Sequence, residues 1–160
     1  MKTLIACCLL LAGCVSQPVK IPEGGGLYPF GKYQHDVKIK VLTPPRTMEM
    51  RGVVSYTADS LKVVGLSSFG TTVFRIDENL NTGEITKDFY MDIIRKNEDK
   101  FMEFYKLVRE LMTAPKGETD FKRGDAHFVL SDPDENGIFT TVHVDHPQFI
   151  LDIDVTDYEF

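Results

Sequence analysis

From residue 15 onward the chain has no cysteine; its three, Cys7, Cys8 and Cys14, all fall within the first fourteen residues. Beyond that point disulfides, thiolate metal sites and thiol catalysis are excluded together. Positive charge is also scarce, with 18 Lys and Arg against 24 Asp and Glu, a net charge of −6, and no basic stripe. Binding to nucleic acid rests on neutralising phosphates, so no nucleic-acid partner is expected. There is no G-x-S-x-G, and no general base stands beside Ser67 or Ser68. No phosphate-cradling loop exists either, because Gly24-Gly25-Gly26 is followed by no Lys-Ser/Thr pair. These absences point away from an enzyme and from a bound cofactor. What is present is ordinary: 160 residues, 42% apolar and 26% charged, the composition of one globular domain.

The longest apolar run, Leu4 to Ala12, follows Met1-Lys2. As a helix it spans only about 14 Å, well short of the ~30 Å needed to cross a bilayer. A positive start, a short apolar run and small residues before a cut describe a secretory signal. The closing Leu11-Ala12-Gly13-Cys14 resembles the lipobox of bacterial lipoproteins, whose cysteine is acylated and becomes the first residue of the mature chain. An ordinary signal peptide that happens to contain cysteine is the alternative. Residues 1–13 are therefore expected to be a lipoprotein signal peptide, with Cys7 and Cys8 as soft apolar residues of its core. Cys14 is the expected lipidation site. Val15 is not the aspartate that retains Gram-negative lipoproteins at the inner membrane, so the resemblance implies an outer-membrane anchor with the domain facing the periplasm. Two or three acyl chains hold such an anchor stably where one does not.

Residues 14–27 hold Pro18, Pro22 and the Gly24-Gly25-Gly26 run without a periodic apolar pattern, as a flexible tether would. Residues 28–160 are read as one domain. Val37, Ile39 and Val41 alternate with charged residues, and beyond Pro44-Pro45 so do Met48, Met50, Val54 and Tyr56. Leu61 to Leu66, Thr72 to Ile76 and Ile85 to Tyr90 continue this period of two across short turns. Five such strands joined by turns too short for a crossover helix predict an antiparallel meander. Asp92 to Ala114 instead carries a broad apolar stripe at helical spacing, with Asp92 as the expected N-cap and Pro115 and Gly117 as the stop. So wide a stripe needs cover on more than one side, as inside a curved sheet. His127 to Leu130, Ile138 to Val144 and Phe149 to Val155 complete about eight strands. The expected class is α+β: a strongly curved antiparallel sheet, or half-barrel, with one long helix on its concave face.

Two polar clusters could carry chemistry. Asp132-Pro133-Asp134-Glu135-Asn136-Gly137 matches the first half of a calcium loop, but His143 stands where the closing Glu is required. Asn136-Gly137 is equally a hairpin turn. His143 and Asp145 share a strand face, and His127 could join them across the sheet, a set able to ligate a transition metal for a metal-assisted hydrolase. A surface histidine pair beside the His146-Pro147 turn is the competing reading. Phe69, between Ser68 and Gly70, is either folded under the sheet or exposed to meet lipid or an acyl-bearing partner.

Gly52-Val53-Val54-Ser55-Tyr56, Leu61-Lys62-Val63-Val64-Gly65-Leu66-Ser67-Ser68-Phe69-Gly70 and Val73-Phe74-Arg75-Ile76, with the closing Phe149-Ile150-Leu151-Asp152-Ile153, together resemble the Lol-type carriers and receptors that move lipoproteins to the outer membrane. The resemblance implies an incomplete barrel closed by helical segments around an apolar acyl-binding cavity, with Phe69 where the receptor carries a protruding leucine. A shorter mature chain, no tryptophan and a single long helix imply a small relative with a different apolar cargo. The expected function is thus a non-enzymatic, monomeric lipoprotein that binds an acyl chain, a lipoprotein or another apolar cargo. Phe69, Phe101, Phe104, Tyr105, Val108 and Leu111 are its expected contact residues. An envelope scaffold that holds a protein partner by a sheet edge is the alternative.

Overall fold

The computed structural model describes residues 20–160. Nine strands form one antiparallel sheet: β1 (Gly31–Leu42), β2 (Pro45–Tyr56), β3 (Ser60–Leu66), β4 (Thr72–Asn79), β5 (Ile85–Phe89), β6 (Asp120–Arg123), β7 (Ala126–Pro133), β8 (Phe139–His146) and β9 (Phe149–Glu159). Their order is β5-β4-β3-β2-β1-β9-β8-β7-β6, so two hairpin meanders meet where β1 lies against β9. The sheet does not close on itself, since β5 and β6 are its outer strands.

Side-chain alternation fixes which face is inside. On β1, Tyr33, His35, Val37, Ile39 and Val41 are buried while Lys32, Asp36, Lys38 and Lys40 are exposed. The register then sets Asp36 opposite Arg51, Lys38 opposite Glu49 and Lys62 opposite Asp77, making the outer face a solvated lattice of cross-strand ion pairs. Such exposed pairs contribute little, about 0–1 kcal/mol each. Stability comes from the inner face, where Phe128, Val142, Val144 and Leu151 are at most 1% exposed and each buried side chain contributes about 1.5–3 kcal/mol.

The expected single helix over Asp92 to Ala114 is broken. α1 (Asp92–Arg95) is one turn, and α2 (Glu98–Thr113) is the only longer helix among the described residues. Asn97 makes the break: its backbone leaves the helical region (φ −120°, ψ 29°), and its side-chain amide donates to the Ile93 carbonyl at 2.7 Å. That bond offers the chain an alternative to continuing the helix. Glu98 and Asp99 then face the positive end of a fresh helix. Met91, not Asp92, precedes α1 as its N-cap. A further difference is β6, a strand of only four residues in which Phe121 alone points inward and stacks on Phe128 at 4.8 Å.

α2 lies across the inner face with Phe104, Tyr105, Val108, Leu111 and Met112 buried. Two adjacent residues of this helix reach opposite wings of the sheet. Arg109 Nε stands 2.9 Å from Glu78 on β4, and Glu110 stands 3.9 Å from Arg123 on β6. At the C-terminal end of α2, Leu27 donates its backbone N–H to the Ala114 carbonyl at 2.5 Å. Gly26 passes so close that a Cβ there would sit 2.7 Å from the Ala114 and Met112 carbonyl oxygens. The last residues of the expected tether are therefore docked on the domain. No helix among the described residues is long and apolar enough to cross a membrane.

Candidate functional site

The register of β2 creates the main cavity. β3 pairs with β2 only from Arg51 onward, where Leu66 is its partner, whereas β1 pairs with β2 down to Pro45. The β1–β2 hairpin thus projects beyond β3, and its inner face there lies opposite the α1–α2 junction, whose Ile94, Asn97 and Phe101 also line the cavity. The cavity, open on one side, has a volume of about 650 Å³, within the ~300–1,000 Å³ typical of small-molecule sites.

Its floor is apolar. Ile39 and Val41 of β1, Met48 and Met50 of β2 and Phe149 and Leu151 of β9 form one side, with Ile94, Phe101 and Phe104 opposite. Val73 also reaches it because of a bulge: Gly65 pairs with Phe74 but Leu66 pairs with Thr72, so Val73 is an extra residue. Both Val73 and Phe74 can then be buried in succession, as a bulge re-aims one side chain. Of the polar lining residues, Thr43, Arg46, Glu49, Ser68, Lys100 and Gln148 are exposed at the rim, while Ser67 and Asn97 are half-buried.

Phe69 occupies the tip of the β3–β4 turn and is 93% exposed. The turn holds it outward: Gly70 N–H donates to the Ser67 carbonyl, Ser67 N–H to that of Thr71, and Gly70 takes φ +78°. Folding under the sheet is excluded, and Ser67 and Ser68 beside it line the cavity. Met91 and Ile93, 45% and 59% exposed, stand on the opposite lip.

Of the helix residues expected at the site, Phe101 and Phe104 line the cavity, while Tyr105, Val108 and Leu111 are buried core residues away from it. Tyr105 instead donates its hydroxyl to Glu78, which also accepts from Arg109 Nε. Burial, and then the Glu78 hydrogen bond, push the Tyr105 phenol far above its usual range. Glu78 was detectable in principle, since alternation places it on the same face as Phe74 and Ile76. Cys14 lies outside the described residues.

The register sets His127 opposite Asp145, as alternation across β7 and β8 requires, but each histidine is held by an aspartate of its own. His127 Nε2 is 2.7 Å from Asp120, whereas His143 Nδ1 is 2.6 Å from Asp152 with Asp145 at 3.4 Å from its other nitrogen. The Asp152 hydrogen bond, helped by Asp145, raises the His143 pKa against the opposing effect of burial. Among the described residues no group of three or more His, Cys, Asp or Glu side chains is placed to hold a metal ion. In Asp132 to Gly137 the Asp134 carboxylate accepts from the Asn136 and Ile138 amides, each at 2.9 Å, and from the Tyr158 hydroxyl. Burial alone would raise its pKa, but these bonds outweigh burial and hold it below the usual range. The segment is a hairpin turn with its central carboxylate already used, beside a shallower cavity of about 400 Å³ that Tyr158 and Phe160 also line.

No family model and no curated protein sequence matches the chain. The likeness to Lol-type proteins rests on the residues quoted for it.

Proposed function

We propose that this chain is a non-enzymatic lipoprotein that takes an acyl chain or another apolar ligand into the cavity between the β1–β2 hairpin and the α1–α2 junction. The apolar floor of that cavity beneath a largely polar, exposed rim is the observation that carries the reading. In it Cys14 is acylated and anchors a monomeric domain in the outer membrane, facing the periplasm. The task is lipoprotein or lipid trafficking, as in the Lol-type proteins the sequence resembles. Phe69 meets the membrane or the cargo at the rim.

The reading includes a half-barrel. β4 and β6 are seven strand spacings apart, about 34 Å on a flat sheet, against about 10–12 Å for the width of a helix. Adjacent residues Arg109 and Glu110 reach both, which supports a sheet curled around α2 with the helix on its concave side.

The test is lipid mass spectrometry on protein extracted from membranes in mild detergent. A noncovalent acyl lipid should copurify at about one per chain and be lost from the cavity-filling variant Ile94→Trp; no lipid in either protein would refute cargo binding. Cys14→Ser should move the protein from the membrane to the soluble fraction. A second reading, an envelope scaffold, draws on the Pro45–Met50 edge of β2, which β3 leaves unpaired. Crosslinking to one protein, abolished by a charge on that edge and unaffected by Phe69→Glu, would favour it.

A further inference from the structure

We infer that the occupant of the cavity is a single-chain amphiphile with an anionic head, its chain on the apolar floor and its head at Arg46 and Lys100. The inference rests on the acyl-binding reading above and adds the head group to it.

Three charged residues border the cavity, Arg46, Glu49 and Lys100, but alternation along β2 turns the Glu49 side chain to the outer face while Arg46, opposite Val41, shares the inner face with Met48 and Met50. Glu49 already faces Lys38 Nζ at 3.8 Å across the β1–β2 pair. Arg46 and Lys100 have no carboxylate within 4.0 Å among the described residues, and neither side chain makes a hydrogen bond there. The mouth therefore carries two uncompensated cations on a protein whose net charge is −6. Arg46 comes from the start of β2 and Lys100 from the first turn of α2, so a ligand entering between hairpin and helix meets both.

The arrangement discriminates by chemistry. Because both cations are exposed, they remain hydrated in the empty protein and cost nothing unpaired. A carboxylate or phosphate at the mouth accepts charge-assisted hydrogen bonds from them, which are stronger than neutral ones. A neutral alcohol or ester of the same chain gains only the apolar burial. A cationic head is repelled, because the one carboxylate nearby, that of Glu49, points to the outer face beside Lys38.

Isothermal titration of the full mature protein at pH 8 with decanoate, decyl phosphate and 1-decanol separates head from chain. At least one anion should bind at least about tenfold more tightly than 1-decanol, the effect of one charge-assisted hydrogen bond. The double variant Arg46→Gln/Lys100→Gln should lose that preference while binding 1-decanol as the wild type does. The stronger anion tells a fatty-acid carboxylate from a lipid phosphate. Equal affinity for alcohol and anions, or a preference that survives the double variant, overturns the anionic head and leaves the acyl-binding reading standing. Binding of none of the three overturns both.

Discussion

Arg109 Nε lies 2.9 Å from Glu78 Oε2, and the Tyr105 hydroxyl donates to the same carboxylate from one turn earlier on α2. Glu78 is 5% exposed, so this contact fastens the helix to β4 through a charge that water cannot satisfy. Arg109→Met should destabilise the fold by about 2–3 kcal/mol. That is less than the ~3–5 kcal/mol of a fully buried pair, because the Arg109 side chain is 43% exposed. Glu78→Met and Tyr105→Phe added to Arg109→Met should recover most of the loss in urea denaturation, since the three replacements leave neither a buried charge nor an unpaired hydroxyl. A triple variant as unstable as Arg109→Met alone would show that the charge is not the cause.

His35 sits on the inner face of β1, and burial alone lowers its pKa to about 4 from the ordinary 6.5. The unfolded chain takes up a proton as the pH falls through 6.5, whereas the folded chain resists until about 4. Stability is thus fully present above pH 6.5 and declines below it, by at most about 3 kcal/mol at pH 4. The raised His143 pKa acts with the opposite sign, so the informative quantity is the difference between wild type and His35→Leu. The variant should lose the decline between pH 6.5 and 4 in denaturation midpoints; parallel pH profiles would refute it.

Gly65 pairs with Phe74, whose ring lies over it: a Cβ at Gly65 would stand 2.6 Å from Phe74 Cδ1. The ring has nowhere to go, with Phe101 at 5.4 Å and Phe104 at 6.5 Å between centroids. Gly65→Ala should cost about 1–3 kcal/mol by overpacking, and Phe74→Leu in the same chain should relieve part of it. Because Phe101 lines the cavity, ligand affinity should weaken along with the thermal midpoint. An unchanged midpoint would contradict this account of the glycine.

Much of this fold is legible in the sequence, and the cavity is not. Val37, Ile39 and Val41 alternate with charges and are buried where alternation puts them; Phe104, Val108 and Leu111 fall on the buried stripe of α2 as spacing requires. The break at Asn97 is not legible, because it depends on one side-chain amide preferring a carbonyl to water. β6 is hidden by its length and by Asp120, Lys122 and Arg123, which leave Phe121 as its only apolar signal. The cavity arises from how far the β1–β2 hairpin overshoots Leu66 and from the bulge at Val73. Both are matters of register between strands, which no single strand's pattern encodes.

Phe69 is 93% exposed, so Phe69→Glu should leave stability within about 0.5 kcal/mol of wild type. Its effect should fall on encounter: transfer of a fluorescent fatty acid from vesicles to the protein should slow several-fold, with equilibrium affinity for the free ligand little changed. An unaltered transfer rate would remove Phe69 from the functional surface.

The cavity itself is tested most directly by the methionine methyl groups. Met48, Met50 and Met91 line it, whereas Met112 is 1% exposed in the packed core and does not. In carbon-13 methyl spectra of the full mature protein titrated with decanoate, Met48 and Met50 should shift saturably while Met112 stays in place. Unmoved Met48 and Met50 resonances at saturating ligand, or shifts spread evenly over all methionines, would contradict an acyl chain bound between the hairpin and the helix.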